Sequence, residues 1–220
     1  MKHALIVGGT SGLGLELAKK LAVDYDVILT GTGKHRPDGF DVRVCDLTGG
    51  PELGPNIHKL VDGLPEVDLV VYAAGFVQLG TITDLEDGDI GKMACVGLVA
   101  PMLLTRELLA KQGKIPQFVA ITSTSAWTPR LKEPVYTAVK AGLGMFAQSL
   151  SLDERVGKTL VAAPGGMNTP FWDGTGTDST EFLDTAQVAQ AIVEQLDGQY
   201  RYRLVKIPRD TGRLELVEET

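Results

Sequence analysis

The chain has 220 residues, which is room for one domain and little else. Hydrophobic residues at 44% and charged residues at 22% suit a folded protein with a substantial core, and exclude the disordered and repeat classes. A formal net charge of -7, from 21 Lys and Arg against 28 Asp and Glu, argues against nucleic acid or an anionic membrane as partner, because phosphate neutralisation needs concentrated cations. Glycine is abundant at 26 residues without a fixed period, which excludes collagen and signals tight turns or close backbone approaches.

In chain order, residues 3–7 form an apolar run that stops at Gly8. A helical pattern follows from Gly14 to Leu21, with Leu13, Leu17 and Leu21 recurring. Val27 to Leu29 form a second run, closed by Thr30-Gly31, and Val42, Val44 and Leu47 mark a third. Residues 57–64 read as a helix, Leu69 to Ala73 as a fourth run, and 86–111 as a long helix. Phe118 to Thr122, a helix over 134–152, and Leu160 to Ala163 come next. The Gly-, Thr-, Asp- and Ser-rich stretch 165–185 reads as a loop, with Phe171, Trp172 and Phe182 embedded in it. One more helix, a last strand and a small hairpin within 200–218 complete the chain.

The strand candidates are short and apolar without period two, as parallel strands buried on both faces are. Alternation with helices predicts a single α/β domain over residues 1–220, a doubly wound Rossmann-type sheet with helices on both sides. Ligands in such sheets bind beyond the carboxyl ends of the strands, so the glycine-terminated strand ends are where function is read. The N-terminal apolar run is too short for a signal peptide and no 18-residue apolar stretch occurs, which makes cytoplasmic residence the expectation. Cys45 and Cys95 sit in apolar stretches and are expected as buried free thiols. His3, His35 and His58 lack ligand partners at useful spacing, so no metal is expected.

Gly8, Gly12 and Gly14 follow the first strand and open the first helix. Glycine there lets the backbone approach a pyrophosphate, while the unpaired N–H groups of the helix face the anion, and Thr10 and Ser11 add hydroxyl donors beside Leu13. After the second strand no carboxylate occurs before Asp38; Thr32, Lys34, His35 and Arg36 occur instead. The cationic trio suits a ribose 2'-phosphate, which favours NADP(H) with NAD(H) as the other form; the competing view is a solvated turn. Asp46, followed by Leu47, can accept from an adenine amino group or cap a helix. Tyr136 and Lys140 are four residues apart, one turn apart on one helix face. A phenol is a poor acid/base group at neutral pH unless a cation stabilises its anion, and Lys140 supplies one. Ser123, with Thr122, Thr124 and Ser125 crowding the same strand end, can hold a carbonyl or alcohol oxygen.

Gly8-Gly9-Thr10-Ser11-Gly12-Leu13-Gly14, Asp46, Tyr72-Ala73-Ala74-Gly75, Ser123, Tyr136-Thr137-Ala138-Val139-Lys140 and Pro164-Gly165 with Thr169 occur in this order. In this the chain resembles the short-chain dehydrogenase/reductase family, in its classical subdivision. The resemblance implies a catalytic Tyr136, a Lys140 that contacts the nicotinamide ribose and lowers the tyrosine pKa, and a substrate-orienting Ser123. The Ser–Tyr interval of thirteen matches the family's and so selects Ser123 over Ser125. The resemblance also implies that Ala73, Ala74, Gly75, Pro164 and Gly165 lie against the cofactor and that Thr169 meets the nicotinamide carboxamide. The expected reaction interconverts a ketone or aldehyde and an alcohol, with a small-molecule carbonyl substrate.

Three positions depart from the family pattern. Val7 replaces a frequent threonine, Tyr72 replaces a frequent asparagine, and Gly97 falls where a helix asparagine completes a proton relay to the lysine. Either water or a main-chain carbonyl fills that last role, or turnover is impaired. A non-catalytic or weakly active dinucleotide-binding scaffold is therefore the alternative reading. Phe76, Val77, Trp127, Phe171 and Trp172 are candidates for an apolar pocket, or else core and interface. Arg130 and Lys132 either attract an anionic substrate or are solvated surface. The apolar surplus on the helices near 90–110 and 135–152, with the family's habit of pairing them, predicts a homodimer or homotetramer.

Overall fold

A computed structural model describes all 220 residues. Its strands are β1 (Lys2–Val7), β2 (Tyr25–Gly31), β3 (Asp41–Val44), β4 (Leu69–Tyr72), β5 (Ile115–Ile121), β6 (Val156–Pro164), β7 (Tyr202–Ile207) and β8 (Glu215–Glu219). The helices are α1 (Gly12–Leu21), α2 (Leu53–Asp62), α3 (Asp87–Ala94), α4 (Ala100–Gln112), α5 (Pro134–Leu150) and α6 (Thr185–Val193). One eight-stranded sheet runs β3-β2-β1-β4-β5-β6-β7-β8. The strands from β3 across to β7 pair in parallel, and only β8 turns back antiparallel on β7.

Burial on both faces explains the unbroken apolar runs. Leu5 and Val7 point into one core with Val70 and Tyr72, which α2, α4 and α5 cover through Ile57, Leu104 and Leu143. Ala4 and Ile6 point into the other with Leu69 and Val71, which α1 and α6 cover through Leu17 and Ile192. The strand order reverses between β1 and β4, and this opens a crevice beyond their carboxyl ends.

Three differences from the sequence expectation have local causes. The third strand stops at Val44, and Asp46 and Leu47 lie in the loop beyond it. The long helix is interrupted by a five-residue π turn at Cys95–Val99. Both cysteines are free, but only Cys45 is buried; Cys95 is half-buried. The helical stretch Asp87–Gln112 is long and apolar enough to cross a membrane by length and composition, yet half of its apolar window is buried inside the domain.

Candidate active site

The first turn is shaped by what its glycines exclude. Gly8 adopts φ +80°, and a Cβ there would sit 2.7 Å from the backbone of Ala74. At Gly14 a Cβ would sit 2.2 Å from the Gly8 carbonyl oxygen. The turn is anchored by the Gly8 and Gly9 N–H groups, which both donate to the Thr30 carbonyl at 3.1 and 3.0 Å. Ser11 occupies the N-cap of α1 in extended backbone and makes no side-chain capping bond, so no side chain competes for the helix's first N–H groups. The cradle leaves the helix's first N–H groups open to an anion.

A cavity of about 1010 Å³ runs from this turn across the strand ends. It is lined by Gly8, Thr10, Ser11, Gly12, Leu13, Gly14, Thr32, Lys34, Asp46, Leu47, Ala73, Ala74, Gly75, Ser123, Tyr136, Lys140, Pro164, Gly165 and Thr169. Of the candidate cofactor-binding and catalytic residues, Arg36 alone is absent from the lining; His35 is present there. Gly33 adopts left-handed backbone at φ +85°, and Lys34, His35 and Arg36 after it are all exposed. Asp46 does two things at once. Its Oδ1 accepts from the N–H and hydroxyl of Thr48 at 2.9 and 2.7 Å, contacts that hold its carboxyl below the usual range, while Oδ2 makes no hydrogen bond within the chain.

Ser123 caps a short 3-10 turn in which its Oγ accepts from the Ser125 N–H at 3.1 Å. Helix α5 starts on Pro134, whose missing N–H costs nothing at that position, and carries Tyr136 and Lys140. Lys140 is 4% exposed; its Nζ donates to the Ile121 carbonyl at 2.9 Å and lies 5.7 Å from the centre of the Tyr136 ring. Burial pulls Lys140 down to about 8. Burial pushes the Tyr136 phenol well above its ordinary range; a hydrogen bond with Ser123 lowers it, the charge of Glu133 raises it further, and that of Arg130 lowers it. Without a bound ligand, Tyr136 is thus a held proton donor.

Behind Lys140 two of the three family departures, Tyr72 and Gly97, meet at the π turn. In the π turn the Ala100 N–H reaches back to the Cys95 carbonyl. The next residue is Pro101, which has no N–H for the Val96 carbonyl. The buried Tyr72 hydroxyl donates to that carbonyl instead. Gly97 is required by its neighbour, since a Cβ there would sit 2.2 Å from Cγ1 of Val139. Val139 therefore occupies the space that a larger residue at position 97 would need.

The loop after β6 folds over Tyr136 as a run of aromatic contacts. Phe171 lies 5.7 Å from Tyr136, Trp172 5.1 Å from Phe171, and Phe182 5.4 Å from Trp172. The Trp172 indole donates to the Met167 carbonyl at 3.1 Å, which fixes the run. Phe76, Val77, Phe171 and Trp172 line the cavity, but Trp127 does not. Trp127 is instead 46% exposed, with the Lys206 ammonium 4.5 Å over its ring. Phe182, Glu133 and Arg209 line the cavity and had not been singled out for it from sequence. Arg209 follows β7, and the rule that ligands bind at strand ends would have found it. No group of three or more His, Cys, Asp or Glu side chains comes together as a metal site.

Comparison with known proteins agrees with this geometry. The family model described as short chain dehydrogenase matches residues 2–180. An uncharacterized oxidoreductase of Staphylococcus epidermidis is 27% identical over 209 residues, covering 89% of this chain and 90% of the relative. Carbonyl reductase family member 4 of Xenopus tropicalis is 26% identical over 220 residues, covering 90% and 92%. A short-chain dehydrogenase from Sphingobium yanoikuyae, solved in complex with NADPH, superimposes with a TM-score of 0.80 at 21% identity, covering 94% of this chain and 87% of that one. The glycine turn, the Ser–Tyr–Lys arrangement and the parallel sheet thus converge with a match over most of the chain, and the protein belongs to the short-chain dehydrogenase family of oxidoreductases.

Proposed function

We propose that the protein is an NADP(H)-dependent oxidoreductase that interconverts a ketone or aldehyde and the corresponding alcohol. The observation that carries this reading is that Ser123, Tyr136 and Lys140 share one cavity with the glycine cradle. A bound nicotinamide supplies or accepts the hydride. Ser123 holds the carbonyl oxygen, and Tyr136 gives that oxygen its proton on reduction and takes it back on oxidation. Lys140, fixed beside the ring, stabilises the tyrosinate so formed. Phe171 over the Tyr136 ring keeps water from the reacting oxygen. The preference for NADP(H) rests on Lys34 and His35 in the lining and on the lack of a carboxylate at the end of β2. Half-exposed Met102 on α4 and exposed Met145 on α5 support assembly of copies through these helices.

The test is consumption of NADPH, against NADH, over a panel of ketones and aldehydes. The expected result is faster turnover with NADPH, reduced roughly a thousandfold in Tyr136→Phe while NADPH still quenches the protein's fluorescence. The filled space at Gly97 and Val139 favours a second reading, a dinucleotide-binding scaffold with little turnover. Binding of NADPH without turnover across the whole panel would select it.

A further inference from the structure

Two guanidinium groups in the cavity wall have hydrogen-bonding capacity that the chain itself does not use. Arg130 donates from Nε to the Ser125 hydroxyl at 3.0 Å, and the same nitrogen lies 3.8 Å from Glu133. Ser125, only 6% exposed, in turn donates to Glu133 at 3.1 Å. Glu133 stands at the N-cap of α5 but makes no capping bond; its carboxylate serves Ser125 and Arg130 instead. The two terminal nitrogens of Arg130 donate no hydrogen bond within the chain. Arg209 lies 4.6 Å over the Phe182 ring and forms neither a hydrogen bond nor an ion pair. Both arginines line the cavity that holds Ser123 and Tyr136, Arg130 beside Glu133 and Arg209 over the Phe182 ring. The field of Arg130 reaches the phenol itself.

A guanidinium pinned through Nε keeps its paired Nη donors free as a fork, the arrangement that takes a carboxylate or phosphate. We infer that Arg130 forms an oxyanion subsite beside Ser123 and Tyr136, with Arg209 as the second free guanidinium of the same cavity, and that the carbonyl substrate carries a carboxylate or a phosphate. This rests on the oxidoreductase reading above and adds to it the substrate class. Glu133 lies on the Nε side at 3.8 Å and offsets part of the charge of Arg130, while the Nη donors stay free to bind an anion. Anchored at that end, a substrate leaves its carbonyl free for Ser123 and Tyr136.

The experiment uses matched probes with the full chain. Levulinate is compared with methyl levulinate, and dihydroxyacetone phosphate with dihydroxyacetone, by kcat/KM with NADPH. Binding of levulinate and of dihydroxyacetone phosphate is measured calorimetrically with and without NADPH. The charged member of at least one pair is expected to be preferred, and which pair shows it separates carboxylate from phosphate. Arg130→Gln and Arg209→Gln are each expected to lower the charged-to-neutral ratio about tenfold and to weaken binding of the same anion. Lys206→Gln removes an equal charge outside the cavity and is expected to leave the ratio alone. If an anion binds in an arginine-dependent way but no carbonyl turns over, the oxidoreductase reading fails and the subsite stands. If neutral ketones turn over, neither anion binds, and both arginine variants keep the ratio, the subsite is overturned and the oxidoreductase reading stands.

Discussion

At the glycine-turn end of the cavity the wall is backbone, whereas at the aromatic-loop end it is side chain. A Cβ at Gly14 would lie 2.2 Å from a carbonyl oxygen, and one at Gly8 2.7 Å from the Ala74 backbone, so the first end has no slack. The second end is Phe171, Trp172 and Phe182 in ring contact, with Arg209 over Phe182. The contrast separates two kinds of information. A backbone wall depends on the spacing of the glycines alone; a side-chain wall depends on which residues the loop carries.

The largest effect expected from breaking that contrast is at the rigid end. In Gly14→Ala the new methyl has only main-chain atoms to push against, and main chain held by the sheet does not yield. NADPH binding is expected to fall at least a hundredfold, read by fluorescence quenching, with a lower melting temperature. An alanine variant that binds as tightly as the parent would show that the turn is looser than its contacts imply.

A second effect lies behind Lys140. Gly97→Ala drives a methyl into Val139 and is expected to destabilise by about 2 kcal/mol, in the range for overpacking a core. Val139→Ala opens the same space from the other helix. The double variant is therefore expected to be more stable than the sum of the two changes predicts, a coupling that a double-mutant cycle in urea measures directly. Additive losses would mean that positions 97 and 139 do not share the space.

These two regions also show what could be read without a structure. The order of strands and helices was legible because both sheet faces are buried, so each strand is an uninterrupted apolar run. The glycine cradle was legible because close approach demands glycine itself, at fixed intervals. The π turn was not, since it depends on Pro101 lacking an N–H and on Tyr72 arriving from another strand. The sequence showed no amide at position 97, but not that Val139 had filled the space. Lys34 and Arg36 look equivalent in the sequence, yet one lines the cavity and the other does not. The aromatic loop could be seen only as a composition, because its stack is set by contacts to Met167 and Tyr136.

A pH series sharpens the comparison at the point where the two ends meet. Lys140 titrates at about 8 in the folded chain, against 10.5 for an unperturbed lysine. Below pH 8 the ammonium is charged in both states, and the cost of burying it is fully present. Between pH 8 and 10.5 the unfolded chain holds a proton that the folded chain has released, so this group's contribution to stability rises with pH. Cys45 works the other way from its ordinary 9.0 upward, because burial raises it to about 11. Urea denaturation of the parent and of Lys140→Met at pH 7, 8 and 9 isolates the lysine: the parent is expected to gain on the variant as pH rises. Parallel curves would mean that the amine is not desolvated.

The smallest effect belongs to the side-chain wall. Phe171 contributes one tilted aromatic contact to Tyr136 and one edge contact to Trp172, and it is only half-buried. Such a pair is worth about 0.5–1.5 kcal/mol, so Phe171→Ala should leave the melting temperature nearly unchanged. Its consequence is local: water gains access to the phenol and the substrate loses an apolar wall. A drop in kcat/KM of about three- to tenfold is expected, mostly in KM for apolar carbonyl compounds, with NADPH binding unaltered. A loss as large as that in Tyr136→Phe would instead place Phe171 in the chemistry. A melting temperature lowered by many degrees would mean that the loop is part of the core and that the two ends of the cavity are equally rigid.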